Sequence, residues 1–152
     1  MIRELSIDHC LRATWQAVAK MYNEQAAKHD STMAMAFVLL NTDYENGTPS
    51  TSLGPQMGME ATSLSRILKS MEEKKLIYRE PNPEDGRSVL IKLTDKGKEK
   101  REVSKQSVIQ FNRVVFDNIS QEKINNFIEV TQVITKLINE RAIFSKAERK
   151  NI

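Results

Sequence analysis

Small polar side chains and cations share the exposed faces of one predicted helix. The helix spans 60–74, because apolar residues between Leu64 and Met71 recur at helical spacing and form a single buried stripe. The residues left on its other faces are Ala61, Thr62, Ser63, Ser65, Arg66 and Lys69. Short side chains allow a helix to approach the major groove closely, and an arginine can form a bidentate contact with guanine. The chemistry that these residues favour is contact with the base edges and phosphates of DNA.

A second candidate group lies in the turn 80–88, between two strand-like segments. Pro81 and Gly86 forbid a continued strand and require a loop. At the tip of this loop, the guanidinium of Arg87 can enter a narrow minor groove, where the negative potential is highest. Asp85 can hold that arginine in place by a hydrogen bond or an ion pair. A helix followed by such a hairpin is typical of a winged helix that binds double-stranded DNA.

The elements that must position these two groups follow from periodicity and capping residues. The predicted helices are 7–28, 33–42, 52–57, 60–74, 96–118 and one that begins after Ser120, and the predicted strands are 76–79 and 88–93. Helix-capping side chains occur at 30–32, at Thr94–Asp95 and at Ser120, while Gly58 separates the two helices of the motif. The short apolar helix 33–42 is expected to be fully buried.

The first helix and the last two helices have more apolar surface than a small winged-helix lobe can cover. A helix with an apolar face must bury it, and a second copy of the chain is the expected partner. A single monomeric bundle is the alternative. The expected fold is mainly α with a small β-hairpin wing, in one domain, 1–152. Its parts are a winged helix-turn-helix lobe (31–95), dimerisation helices (1–29 and 96–145) and a basic tail (146–152).

Composition argues against several classes of protein. One cysteine and two histidines provide neither an internal disulfide nor the four ligands of a structural zinc site. No glycine-rich phosphate loop is present, so we expect no enzyme, no cofactor and no metal. Because no apolar run approaches about 18–20 residues, a cytoplasmic protein is expected. Eleven Lys or Arg residues against eight acids between 60 and 101 give mild support for a polyanionic partner.

Four segments together resemble the MarR family of bacterial transcription regulators. They are GMEATSLSR (58–66), MEEKKLI (71–77), DGRS (85–88) and LTDKG (93–97). The resemblance implies a homodimer that binds pseudo-palindromic operators, with helix 60–74 in the major groove and the wing 80–88 in the minor groove. It also implies a regulator that usually represses and is often released by a small ligand or by oxidation.

The resemblance further suggests where an effector would act. An aromatic or apolar ligand would bind between the dimer helices and the DNA-binding lobe, near Trp15, Met33, Phe37 and Phe111, although such residues are more often plain core. One branch of the family senses peroxides through a lone cysteine in the first helix, where Cys10 lies. The alternative for Cys10 is a small apolar helix residue without redox function.

Two residues depart from the family pattern. Glu60 replaces the usual Ser, Thr or Asp at the start of the recognition helix, and Lys75 replaces a glycine where the chain turns left-handed. An acid at position 60 suits the helix dipole but repels phosphate. The competing functional hypothesis is a winged-helix module that binds another protein instead of DNA.

Overall fold

The computed structural model describes residues 6–144, and they form a mainly helical chain with one small sheet. The elements in chain order are α1 (Ile7–Ala27), α2 (Met33–Asn41), β1 (Thr48–Pro49), α3 (Ser50–Met57), α4 (Ala61–Glu73), β2 (Ile77–Pro81), β3 (Val89–Leu93), α5 (Asp95–Asn118) and α6 (Gln121–Asn139). The chain divides into two compact units at 108/109. The predicted basic tail, 146–152, lies outside the described residues. Among those described, no helix has the length and apolar character needed to cross a bilayer.

The sheet of the first unit has three antiparallel strands in the order β1-β3-β2, one more than the predicted hairpin. In β1, Thr48 pairs with Ile91 of β3, and the Oγ1 atom of Thr48 accepts a hydrogen bond from the backbone N–H of Asp43 at 2.9 Å. Periodicity could not predict β1, because two residues are too few to show an alternating pattern.

The core of the first unit confirms the predicted inner face of α4. Leu64, Leu68 and Met71 are buried there, together with residues of α2, α3 and the sheet. The prediction that the second helix is fully buried is wrong. Three of its residues are buried (Met35, Val38 and Leu39), whereas the others are half-buried or exposed, because one side of α2 is left uncovered by the core.

Hydroxyl caps fix the starts of three helices as predicted. The Oγ1 atom of Thr32 accepts from the N–H of Met35, the Oγ atom of Ser120 accepts from that of Lys123, and the Oγ1 atom of Thr94 accepts from that of Gly97. The capping hydroxyl satisfies an amide that has no partner inside the helix.

The start of α3 differs from the prediction. This helix begins at Ser50 rather than at position 52, and the residue before it is Pro49, which has no capping side chain. Pro55 consequently lies in the second turn, where its missing N–H removes one hydrogen bond from an already short helix.

Three lysine ammonium groups bond to backbone carbonyls at the ends of helices. The Nζ atom of Lys74 donates to both the carbonyl and the Oδ2 atom of Asp30, each at 3.1 Å. Lys96 donates to the carbonyl of Lys74 at 3.0 Å, and Lys100 donates to that of His29 at 2.8 Å. The carbonyl of Lys74 belongs to the C-cap of α4, and those of His29 and Asp30 lie in the turn after α1, so each cation satisfies a carbonyl at or just beyond a helix C-terminus.

Lys75 has the left-handed backbone expected at this position, with φ at 58°. Because a side chain in that region costs about 1 kcal/mol, Lys75→Gly should raise the free energy of unfolding by up to about 1 kcal/mol. Denaturant titration measures this change. The control is Glu73→Gly at the last residue of α4, whose backbone is right-handed, so that glycine should lower stability by up to about 1 kcal/mol. A Lys75→Gly protein less stable than the parent would contradict the strain argument.

Candidate nucleic-acid interface

A left-handed turn at Gly58 joins α3 to α4. Its φ is 62°, and the N–H of Met59 bonds back to the carbonyl of Gly54 at 2.9 Å, which ends α3. This backbone conformation favours glycine, because a Cβ atom is crowded there. The helix, the tight turn and the second helix are therefore arranged as predicted.

The outer face of α4 presents the predicted residues to solvent. All six are exposed: Ala61, Thr62, Ser63, Ser65, Arg66 and Lys69. Neither Arg66 nor Lys69 forms an ion pair with any residue between 6 and 144. Both cations are therefore available to an anionic partner without first breaking an internal contact.

Glu60 occupies the N-cap of α4, with extended backbone angles and no hydrogen bond from its side chain to the helix. Glu60 is exposed, and its carboxylate forms no ion pair within the described part of the chain. A Ser, Thr or Asp at this position would accept a bond from a first-turn N–H. The Glu60 carboxylate is thus left unpartnered at the leading end of the outer face of α4.

Two side-chain contacts connect α4 to neighbouring elements. The Nε atom of Arg79 on β2 lies 2.9 Å from the Oε2 atom of Glu72, and Lys74 at the end of α4 holds Asp30 in the α1–α2 turn. Both pairs are largely exposed and each contributes little energy in isolation. They join α4 to β2 and to the α1–α2 turn, while its buried residues Leu64, Leu68 and Met71 hold it in the core.

Hydrogen bonds within the loop shape the wing, 80–88. The Nδ2 atom of Asn82 donates to the Oγ atom of Ser88 at 2.9 Å across its base, and the Oδ1 atom of Asn82 accepts from the N–H of Glu84 at 3.0 Å. The Oδ1 atom of Asp85 accepts from the backbone N–H of Arg87 at 2.9 Å. An aspartate reaches the amide two residues later in this way within an Asx turn.

The hydrogen bond expected between Asp85 and Arg87 is present, and its donor is the backbone N–H of Arg87. The Asp85 carboxylate fixes the backbone of Arg87 instead of pairing with the guanidinium, because the Asx turn directs it to the nearer amide. The Arg87 side chain is exposed and has no ion pair with any described residue. The Arg87 guanidinium is therefore exposed on a backbone that the Asx turn holds in place.

At the base of the wing the two strands are joined by an ion pair. Lys92 and Glu80 lie 3.0 Å apart on diagonal positions of β2 and β3, and the hydrogen bond to Glu80 raises the pKa of Lys92. The expectation that Pro81 lies outside the strand is wrong, because it pairs with Val89 as the last residue of β2. β2 is an edge strand, where a missing N–H is tolerated.

A small cleft in the first unit contains part of the predicted ligand site. Met33 and Phe37 line it together with Tyr22, whose ring meets that of Phe37 edge to face at 6.3 Å. Burial also raises the pKa of Tyr22. Trp15 and Phe111 do not line this cleft: Trp15 is half-exposed two helical turns before Tyr22, and Phe111 belongs to the second unit.

Sequence reasoning missed His29 and Lys100, which also line the cleft. Tyr22 lies on the same helical stripe as Trp15, so periodicity could have identified it as a residue of the cleft. No local sequence pattern indicates that Lys100 lies there. The cavity holds about 40 Å³, far below the roughly 300–1,000 Å³ of a ligand pocket.

Cys10 lies near the start of α1 and is exposed, as a thiol that reacts with an oxidant must be. The neighbouring His9 has its Nδ1 atom buried without a hydrogen-bond partner among the described residues. The redox role of Cys10 stays a prediction.

Comparison with known proteins identifies the lobe that carries α4 and the wing. The sequence model of the MarR family matches residues 32–89. The uncharacterised HTH-type transcriptional regulator YdgJ of Bacillus subtilis is 32% identical over 87 residues, which cover 57% of this chain and 53% of YdgJ. The chain thus matches about half the length of that relative. The HTH-type transcriptional regulator SarZ of Staphylococcus saprophyticus is 29% identical over 116 residues, covering 73% of this chain and 80% of SarZ.

Solved structures share the fold. The MepR–DNA complex of S. aureus superposes with a TM-score of 0.78 at 20% identity, covering 88% of this chain and 100% of that one. CouR from Rhodococcus jostii RHA1 bound to p-coumaroyl-CoA gives a TM-score of 0.76 at 21% identity, covering 86% and 92%. The matched relatives are named as transcription regulators and not as enzymes. The comparisons therefore show a winged helix-turn-helix fold in which residues 32–89 match the MarR family of transcription regulators.

Proposed function

We propose that this protein is a transcriptional regulator, in the first instance a repressor, that binds pseudo-palindromic DNA as a homodimer. In this proposal α4 enters the major groove and the wing enters the adjacent minor groove. Ala61, Thr62, Ser63 and Arg66 contact base edges, while Ser65 and Lys69 contact phosphates.

The observation that carries the proposal is that two arginines in the same lobe are exposed and form no ion pair within the described residues. Arg66 lies on the outer face of α4 and Arg87 at the tip of the wing, and both are exposed without an internal acid. Each cation that displaces counterions from a phosphate lattice contributes to DNA affinity, and a guanidinium also suits a narrow minor groove. MepR, whose fold is similar, was crystallised with DNA.

Dimerisation is supported by apolar side chains that each unit exposes. In the first unit Ile7 and Trp15 of α1 are more than half exposed, and in the second unit Phe127 and Ile138 of α6 are more than half exposed. A monomer rarely leaves so many large apolar residues in water. A dimer would place two recognition helices about 34 Å apart, one turn of DNA, and light scattering would then give twice the mass of the chain.

Effector control is part of the proposal and would require the cleft to open. Its aromatic and apolar lining suits an aromatic or apolar ligand, but its volume of about 40 Å³ accommodates little more than a water molecule. Any ligand of that class must therefore displace α1, α2 or α5. Since Lys100 and Ser31 also line the cleft, such a displacement would reach the turn that Lys74 holds and thereby the end of α4.

The function is tested by titrating the protein with mixed genomic DNA at several salt concentrations. We expect affinity to fall steeply with salt, and Arg66→Ala to weaken binding because one cation of the interface is lost. The matched control is Arg113→Ala, an exposed arginine in the second unit, which should bind as the parent does. If the parent protein shows no salt-dependent binding to DNA, the competing hypothesis, a winged-helix module that binds another protein, is favoured instead.

A further inference from the structure

We propose that Glu60 is a specificity-determining residue that accepts a hydrogen bond from the amino group of a cytosine in the bound DNA. The inference rests on the proposed function and deepens it, because it assigns one residue of the interface to one base. It concerns the N-cap residue of α4.

The first step is that Glu60 stabilises the start of α4 less than a capping residue would. It stands at the N-cap of α4 and makes no hydrogen bond to the helix. Serine, threonine or aspartate at the N-cap would accept from a first-turn amide and stabilise the helix. Glutamate forfeits that hydrogen bond and keeps only the weaker attraction of an acid to the helix dipole. Its carboxylate has no ion pair with any residue of the described range 6–144.

The second step concerns access. The three residues that follow, Ala61, Thr62 and Ser63, are short and exposed, so no long side chain covers the carboxylate. The cations of this face, Arg66 and Lys69, come later along the helix. When the start of α4 approaches the floor of the major groove, Glu60 approaches it too.

The third step is the choice of base. A carboxylate is repelled by phosphate and by the acceptor atoms of guanine and thymine, and it needs a hydrogen-bond donor. In the major groove, adenine presents its amino group beside the acceptor N7, which also repels a carboxylate. The amino group of cytosine has an acceptor on one side only, the O6 atom of the paired guanine, whereas that of adenine lies between its own N7 and the O4 atom of thymine. The same carboxylate thus favours one base and disfavours the other three, which gives specificity by attraction and repulsion together.

The experiment is a selection of bound duplexes from a randomised pool, carried out with the parent protein, Glu60→Gln and Glu73→Gln. Glu73 is the matched control, since it is an exposed acid at the opposite end of α4 and its replacement changes the net charge equally. The parent and Glu73→Gln should enrich cytosine at the same fixed position. Glu60→Gln should reduce that preference by about 5- to 150-fold, or replace it with adenine, whose edge suits an amide.

A second variant separates specificity from folding. Glu60→Ser supplies a capping hydroxyl, so its melting temperature should rise while its preference for cytosine disappears. The assignment would be overturned if the parent and both Glu60 variants enriched the same sequences. It would also be overturned if the duplexes selected by the parent contained no cytosine whose enrichment depends on Glu60. If the parent enriches no sequence at all, the proposed function itself fails.

Discussion

The Gly97→Ala variant is expected to lose on the order of 3 kcal/mol of unfolding free energy. A Cβ atom at this position would lie inside the van der Waals radius of the backbone carbonyl oxygen of Leu76. That oxygen also accepts a hydrogen bond from the N–H of Thr94 at 3.1 Å, so it cannot move away without breaking the contact. Either the first turn of α5 or the start of β2 must shift, and urea titration would report the loss.

Helix propensity acts in the opposite direction, since alanine is favoured over glycine in a helix by about 1 kcal/mol. The clash is with backbone and is expected to outweigh this gain. Gly86→Ala in the wing is the matched control, because a Cβ atom there meets nothing within 4 Å. Its stability should stay within about 0.5 kcal/mol of the parent. Equal stabilities of the two variants would contradict the close approach of α5 to Leu76.

Arg87→Ala is expected to lower DNA affinity by about 1–3 kcal/mol for each wing that is bound, or roughly 5- to 150-fold per wing. Asp85 fixes the backbone of Arg87, so little conformational entropy of the loop is lost when the guanidinium enters the groove. Fluorescence anisotropy with a selected duplex, measured at several salt concentrations, would give both the affinity and the salt dependence.

Arg87→Lys separates charge from shape. It should retain the salt dependence of the parent but bind less tightly, because an ammonium lacks the planar donors of a guanidinium. The folded stability of both variants should match that of the parent, since the Arg87 side chain has no ion pair among the described residues. Unchanged affinity of Arg87→Ala would remove the wing from the proposed interface.

The helices could be predicted from the sequence because their signals are local. The apolar stripe of α4 and the hydroxyl caps at Thr32, Thr94 and Ser120 each depend on residues within one or two turns. Periodicity also identified the outer face of α4, since residues that do not face the core must face solvent.

Features that depend on distant partners could not be predicted in the same way. The pairing of Thr48 with Ile91 and the bond from Lys100 to His29 join residues far apart in the chain. For Asp85 two alternatives stayed open, a hydrogen bond or an ion pair, because an amide and a guanidinium of the same residue compete for its carboxylate. The Asx turn favours the amide, because an aspartate in a turn readily accepts from the backbone N–H two residues later.

The lysines that bond to helix-end carbonyls have a consequence for covalent modification. Acetylation of Lys74 would remove its charge, and with it the ion pair to Asp30 and most of the attraction to the carbonyl of that residue. Acetylation of Lys100 would similarly weaken its hold on His29. An acetyl group on either lysine would therefore loosen the junction between the first two helices and the rest of the lobe, although neither residue lies on the outer face of α4.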